Sequence, residues 1–174
     1  MRQTCALLNR EILKKAQKFR NYAKILTRRS KILKQEANVL FDQGDAQEAI
    51  PLHGKAKAMQ MDIDKLHMEA AKLYFNFYNP NIRSNYNIDL HGLRANEARM
   101  YLEMHVQSIL RRRQNFFQVI VGKGTHSVLR PVLTMVVKDF CKEKNYSCEE
   151  IELGVWHIDL NKTHKLTVNW SGIF

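Results

Sequence analysis

Two polar residues with chemical potential, Asp89 and His91, stand two apart in the segment IDLHGL, residues 88–93. On a strand, residues two apart point to the same face, so a carboxylate and an imidazole would lie side by side. Such a pair suits proton transfer, with the aspartate orienting the histidine, or the binding of one metal ion by both side chains. A histidine that caps a turn, with the aspartate on a neighbouring backbone N–H, explains the spacing equally well.

A second segment of interest is VGKGTHSVLR, residues 121–130, which lies between an apolar run and an amphipathic one. A strand, a glycine-rich turn and a helix start present backbone N–H groups and the helix dipole to an anion. Gly122 and Gly124 would let a phosphate approach the backbone closely. The segment matches neither common glycine motif of nucleotide-binding loops. A phosphate cradle and a purely structural strand-to-helix turn both stay open.

The surroundings of these segments predict a small α/β domain. Residues 86–92 read as a short strand, and an amphipathic helix follows, with an apolar face at Ala98, Tyr101, Leu102, His105, Val106 and Ile109. FFQVIV, residues 116–121, predicts a strand buried on both faces. A second amphipathic helix and two strands joined at Gly154 complete the order. The pattern βαβαββ predicts a two-layer sandwich with a mixed sheet. Phe116, Tyr146 and Trp156 are expected to be core or sheet-face residues, with stacking on bases as the less favoured alternative.

The topology would bring the two polar segments together. If both helices connect parallel strands, the carboxyl ends of the first two strands lie on the same edge of the sheet, where open α/β sheets bind ligands. Asp89 and His91 would then lie near residues 122–127. A carboxylate, two imidazoles, a lysine and a helix start could act together on a phosphodiester.

The first half of the chain predicts a helical hairpin. From Ala49 to Phe77 the apolar residues alternate steps of three and four, as on a helix that packs against a partner helix. Phe19, Tyr22, Leu26, Leu33, Ala37 and Leu40 suggest the same for the preceding helix. Between them, Asp45 is a candidate N-cap. Pro51 would remove a helical hydrogen bond, which predicts that the second helix begins or kinks there.

The charge of the chain favours a polyanionic partner. The formal net charge is +11, and residues 10–34 contain ten basic side chains against one acidic one. A solvated helix face is the ordinary explanation of a charge run, but a merely soluble helix tends to mix signs. We predict a nucleic-acid-binding surface on the first helix, at Lys24, Arg28, Arg29 and Lys31.

Other features narrow the cellular setting. No stretch approaches the length of a membrane span, and the beginning of the chain does not resemble a signal peptide. Three cysteines without a CxxC pair fit a reducing compartment and give no zinc site. We expect a cytoplasmic monomer without a membrane partner or a cofactor. Its predicted organisation is a basic helical hairpin over residues 1–82, an α/β domain over 83–162, and a tail or edge strand over 163–174.

The α/β part of the chain resembles the Smr (small MutS-related) domain. The family has an LDLHG-like first strand and a TGxGxHS-like loop, and this chain has IDLHGL and VGKGTHS in the same order. Val121 stands where the family often has threonine. Residues 18–80, with GDAQEA and AAKLYFNFYN, are similar to the helical extension that precedes Smr domains in eukaryotic proteins.

The resemblance implies a nucleic-acid-binding domain, often a nuclease. Members with this extension include endoribonucleases that cut messenger RNA on stalled ribosomes, in no-go decay and ribosome-associated quality control; others nick DNA, and some bind without cutting. It places the activity on Asp89 and His91, and the glycine loop on Gly122, Gly124, His126 and Ser127. We therefore expect catalysis by Asp89, His91 and His126, and nucleic-acid contacts from Gly122, Lys123, Gly124, Thr125, Ser127 and Arg130.

Three functions follow as hypotheses. The first is metal-independent cleavage of single-stranded messenger RNA through the 2′-hydroxyl, for which two histidines beside a phosphate cradle are suited. The second is a metal-dependent nickase of DNA, with Asp89 and His91 as ligands. The third is a binding module for RNA or the ribosome without catalysis, which grips its partner with the basic hairpin and the glycine loop. A separate alternative for the hairpin is an autoinhibitory role, in which it packs over the α/β domain and covers the site.

Overall fold

The computed structural model describes residues 2–82, 86–122 and 132–161. Packing divides the chain into two units, Met1–Pro80 and Asn81–Phe174. The first unit contains α1 (Arg2–Asp42) and α2 (Ala46–Tyr78); the second contains β1 (Asn87–Asp89), α3 (Ala95–Arg111), β2 (Phe116–Ile120), α4 (Val132–Lys144), β3 (Ser147–Glu152) and β4 (Val155–Asp159). Within the described ranges, none of the helices is both long and apolar enough to cross a bilayer.

The sheet of the second unit is mixed, with the strand order β1-β2-β4-β3. β1 and β2 pair in parallel, whereas β4 runs antiparallel to both β2 and β3. The predicted βαβαββ α/β sandwich, preceded by a helical hairpin, is confirmed. Both crossovers run in the same direction across the sheet, and right-handed connections of that kind leave their helices on one face.

That single helical layer corrects the prediction for β2. Phe117 and Val119 are buried beneath the helices, but Phe116 is 51% exposed and Gln118 and Ile120 are partly exposed. The expectation that β2 is buried on both faces was wrong, because α3 and α4 contact each other on the same side of the sheet. β2 therefore has one face in the core and one open face.

The core of the second unit forms between the helices and this face of the sheet. The apolar face predicted for α3 is confirmed: Ala98, Tyr101, Leu102, His105, Val106 and Ile109 are all buried. Ile88, Phe117 and Ile158 come from the strands, and Phe140 comes from α4. At the start of α3 the Arg94 backbone N–H donates to the Glu97 carboxylate at 2.8 Å, which fixes the first helical turn.

The hairpin of the first unit packs through small residues. Every seventh residue on one face of each helix is buried: Ala16, Ala23, Ser30 and Ala37 on α1, and Ala49, Ala56, Ile63 and Ala70 on α2. The Ser30 hydroxyl donates to the Ala56 carbonyl at 3.2 Å, across the two helices. Small side chains let two backbones approach closely enough for such a bond. We call this packing line the alanine seam.

Three details of the hairpin differ from expectation. Tyr22 lies off the seam and is exposed. Asp45 occupies the N-cap position of α2, but its side chain makes no capping hydrogen bond. The helix begins at Ala46, so the predicted start at Pro51 is wrong, and the alternative of a kink at Pro51 stays a prediction. The hydrogen bond lost at Pro51 would have ended on the carbonyl of Gln47, an exposed residue that water can reach.

His105 is a core histidine that should make the protein sensitive to acid. Its Nε2 atom is buried with no hydrogen-bond partner among the described residues, and its ring packs edge-on against Phe117 at 5.0 Å. Burial, followed by the charge of Arg112, lowers the pKa of His105 to about 4. Protonation is therefore easier in the unfolded chain, and stability is lost as pH falls below about 6.5.

We expect the free energy of unfolding to fall by about 3 kcal/mol more in the wild type than in His105→Leu between pH 7 and pH 4. Urea unfolding at both pH values measures the difference, and other titrating groups cancel in the comparison. Parallel pH dependence in the two proteins would contradict a neutral His105.

Candidate functional site

The carboxyl ends of β1 and β2 form one edge of the sheet. The parallel register pairs Asp89 with Ile120, and the pairing continues as the Leu90 N–H donates to the Ile120 carbonyl at 2.9 Å. The turn between β3 and β4 adjoins this edge, because the Val121 N–H donates to the Gly154 carbonyl at 2.9 Å. Residues that follow β1 and β2 therefore meet above the ends of these strands.

Asp89 and His91 form a tight hydrogen-bonded pair at this edge. β1 ends at Asp89, and His91 lies in the turn that leads to α3, so the two are not neighbours on one strand face as their spacing suggested. The same Asp89 oxygen accepts the His91 backbone N–H at 2.8 Å and lies 2.5 Å from His91 Nδ1. The turn-capping bond and the side-chain pair, which had been alternatives, occur together.

The pair fixes the chemistry that His91 can perform. Its hydrogen bond with Asp89 raises the pKa of His91, and the opposing effect of burial is smaller. With Nδ1 directed to the carboxylate, the neutral ring has Nε2 as its acceptor atom. The carboxylate of Asp89 is mostly buried, with 18% of its side chain exposed, whereas the His91 side chain is 40% exposed. An oriented imidazole that reaches solvent can accept or deliver a proton.

Gly122 lies directly against the His91 ring. Two residues beyond Ile120, its backbone has a φ of +79°, and a Cβ at this position would stand 2.5 Å from His91 Nε2. Any side chain at residue 122 would therefore displace the imidazole or the loop. Sequence reasoning selected Gly122 for a close approach of phosphate, whereas the structure shows a close approach of the catalytic candidate itself.

The remaining residues predicted for the loop lie outside the described part of the chain: Lys123, Gly124, Thr125, His126, Ser127 and Arg130. Of the predicted site, the structure thus brings together Asp89, His91 and Gly122. The predicted β3–β4 turn lies beside them, and in it the Glu150 carboxylate accepts the Gly154 N–H at 3.0 Å. The sequence predicted this turn at Gly154 but did not indicate that it adjoins the Asp89–His91 pair.

The basic residues predicted to bind nucleic acid lie on α1. Lys24, Arg28, Arg29 and Lys31 are all exposed. Lys24, Arg28 and Lys31 follow the i, i+4, i+7 spacing along one side of the helix, whereas Arg29 lies about 100° round the helix from Arg28. We call these four residues the basic stripe. It faces away from the alanine seam, so none of its members is used in packing the hairpin.

Comparison with known proteins identifies the second unit. Residues 88–154, which contain the Asp89–His91 pair, Gly122 and the first three strands from Ile88 onward, match the Smr domain family. The chain contains an Smr domain. The matched range ends at Gly154, in the turn that adjoins the site.

Two curated relatives are similar to this chain. Endonuclease NBR9 of Saccharomyces cerevisiae is 36% identical over 95 residues, which cover 55% of this chain and 39% of that protein. An Smr domain-containing protein of Schizosaccharomyces pombe is 26% identical over 145 residues, covering 80% of this chain and 70% of that protein. The second alignment is longer than the Smr unit and so includes part of the hairpin.

A solved structure gives a further comparison. The solution structure of the B3BP Smr domain is 25% identical, with a TM-score of 0.44, and the match covers 54% of this chain and 94% of that one. This chain spans only 39% of the length of the yeast endonuclease.

The contact between Gly122 and His91 can be tested by Gly122→Ala. The added methyl group should push the ring away from Asp89, and loss of that hydrogen bond should lower the pKa of His91. Gly44→Ala is the matched control, because Gly44 also has a left-handed φ, of +91°, but no atom near its Cβ position. Both variants should lose about 1–2 kcal/mol from backbone strain.

NMR titration of the His91 ring measures the pKa, and chemical denaturation measures the strain. We expect the pKa of His91 to fall in Gly122→Ala and to stay unchanged in Gly44→Ala. Equal His91 titration curves in both variants and the wild type would mean that Gly122 does not constrain the ring.

Proposed function

We propose that this protein is an endonuclease that cleaves single-stranded messenger RNA without a metal ion, by attack of the 2′-hydroxyl on the adjacent phosphodiester. The observation that carries the proposal is the Asp89–His91 pair, held at 2.5 Å at the edge where β1 and β2 end. The pair lies in the part of the chain that matches the Smr domain family. One relative of the chain is named as an endonuclease. The pair supplies an oriented base beside a loop suited to phosphate.

The reaction would use both ring nitrogens of His91. Nε2 accepts the proton of the 2′-hydroxyl while Asp89 stabilises the positive ring that results. The 2′-oxygen then bonds to phosphorus and the bond to the 5′-oxygen breaks, which leaves a 2′,3′-cyclic phosphate and a 5′-hydroxyl. From the sequence, we assign protonation of the 5′-oxygen to His126, and stabilisation of the charged phosphorane to the loop amides with Lys123 and Arg130.

The geometry of the pair supports this route over shared metal binding. A separation of 2.5 Å between His91 Nδ1 and Asp89 Oδ1 is a hydrogen-bond distance. A cation bound by both of these atoms would have to separate them, because metal–nitrogen and metal–oxygen bonds are each about 2.0–2.2 Å long. The proposed setting is messenger RNA decay on stalled ribosomes in the cytoplasm, for which the resemblance to endoribonucleases with the same helical extension is the support.

Cleavage of single-stranded RNA in excess EDTA tests the mechanism. We expect the wild type to produce 2′,3′-cyclic phosphate and 5′-hydroxyl ends, and to leave a 2′-deoxy substrate intact because the nucleophile is missing. His91→Ala should lower the rate by about 10²–10⁴-fold, the usual contribution of a general base, and Asp89→Asn should also lower it. Asp139→Asn removes the same charge from the exposed side of α4 and should cleave normally.

The outcomes separate the rival functions. Cleavage that appears only with Mg²⁺ or Mn²⁺, and extends to duplex DNA, would contradict the metal-free route and favour the nickase. RNA binding that is identical in wild type and Asp89→Asn, without cleavage on free RNA or on stalled ribosomes, would leave a binding module.

The basic stripe on α1 is proposed to hold the RNA backbone. Each phosphate contact to a single strand contributes about 0.7 to the slope of log affinity against log salt concentration. Replacing Lys24, Arg28 and Lys31 of the basic stripe by alanine should therefore weaken binding and reduce this slope by about 2.

The control removes three exposed lysines from the other helix of the hairpin, with the same change in net charge: Lys55, Lys57 and Lys65. Fluorescence anisotropy with a labelled single strand, over a series of salt concentrations, gives both slopes. Equal slopes for the two variants would show that α1 contributes only net charge.

A further inference from the structure

The open face of the Smr sheet carries a row of aromatic rings. Phe116, at the start of β2, has the Tyr86 ring on one side, with centroids 6.1 Å apart and planes 14° apart. On its other side lies the His157 ring of β4, at 5.6 Å and 32°. The Tyr86 and Phe116 rings are thus nearly parallel, and the His157 ring is tilted against Phe116. We call them the aromatic row.

These rings are accessible. Phe116 is 51% exposed and Tyr86 is 46% exposed, and the His157 side chain is partly exposed. Contacts between aromatic rings on neighbouring strands can stabilise a sheet. That stabilisation does not explain why about half of the Phe116 and Tyr86 surfaces is exposed to water. Exposed apolar surface of this kind commonly marks a binding site. Exposed aromatic rings suit partners that are themselves flat, of which unpaired nucleobases are the chief example.

The charges around the row fit one orientation of a nucleic acid strand. Arg111, Arg112 and Arg113 are exposed and immediately precede β2, so cations stand within a few residues of Phe116. At the opposite edge of the sheet, β3 carries the exposed carboxylates of Glu149, Glu150 and Glu152. A phosphate backbone would be attracted to the side of β1 and β2 and repelled from β3.

The row is also at a useful distance from the Asp89–His91 pair. Phe116 precedes Ile120, the partner of Asp89, by four residues of β2, which is about 13 Å at 3.3 Å per residue. The spacing of about 3.4 Å per nucleotide in a stacked strand makes that about four nucleotides, and fewer in an extended one. Asp89 and Phe116 both lie on the open face of the sheet, because each belongs to the alternate residues that are not buried.

We propose that the aromatic row is a base-stacking site that holds single-stranded RNA on the β1–β2 half of the open sheet face, a few nucleotides from the bond to be cut. This inference rests on the proposed function and deepens it, because it assigns the part of the protein that selects unpaired substrate. Paired bases are stacked on one another and cannot spread on the sheet, so duplexes should bind more weakly.

The test uses the full chain and two labelled single strands of equal length, one of normal RNA and one without bases at successive positions. Phe116→Leu keeps an apolar side chain but removes the ring, and Phe116→Trp restores an aromatic surface. We expect Phe116→Leu to weaken binding of normal RNA about tenfold, with no change for the abasic strand. Phe116→Trp should bind both strands as the wild type does.

Met104→Ala is the control, since it truncates an exposed apolar side chain on α3, in the helical layer. It should leave both affinities unchanged, and thermal melting should verify that all variants are folded. Tyr86→Leu provides a second test outside the regular strands, where a change of sheet stability is not expected, and should give a loss similar to that of Phe116→Leu.

The results distinguish the two proposals. If the wild type binds and cleaves single-stranded RNA but Phe116→Leu and Tyr86→Leu bind normal RNA as tightly as it does, the aromatic row is not a base-stacking site and the proposed function stands. Equal losses for normal and abasic strands would likewise overturn stacking. If the wild type binds neither strand, the proposed function fails and the stacking site fails with it.

Discussion

Parallel pairing of β1 with β2 is the constraint on which the candidate site depends. It sets Asp89 level with Ile120, so the residues two beyond each strand, His91 and Gly122, meet at the same height. A shift by one residue would turn Asp89 towards the core and leave its carboxylate beneath the helices. The buried Ile88 and Val119, which are paired in the same register, oppose such a shift.

The same register also gives the sheet one face that packs in the core and one face that stays open. One set of alternate residues packs beneath α3 and α4, and the other set stays open. Because both helices occupy one side, the open side is free to carry Phe116 and His157 along with the Asp89 end of β1. The core and the proposed RNA-binding surface are thus formed by alternate residues of the same strands.

Much of this fold could be read from the sequence because helical periodicity reports burial directly. The six residues of α3 that the apolar spacing indicated are all buried, and Glu97 is the one further buried residue of that helix. Whether β2 was covered on one face or two could not be read in this way, since coverage depends on the direction in which two separate connections cross the sheet. The predicted helix start at Pro51 was wrong for a related reason. The free-energy cost of a proline inside a helix depends on whether the carbonyl that loses its hydrogen bond, here that of Gln47, can reach water. At the site, spacing indicated that Asp89 and His91 belong together, but the shared carboxylate oxygen depends on a turn that begins only after the strand ends.

The alanine seam has a consequence for the mechanics of the hairpin. Alanine loses no rotamer freedom when it is buried, but each one removes little apolar surface from water, so no single layer of the seam anchors the pair. Stability must accumulate along α2, whose 33 residues extend about 50 Å. Such an assembly can open turn by turn from the end opposite the 43–45 connection, while the section near that connection stays closed. The basic stripe lies in the middle of this length, so packed turns of the hairpin lie on both sides of it along the helix axis.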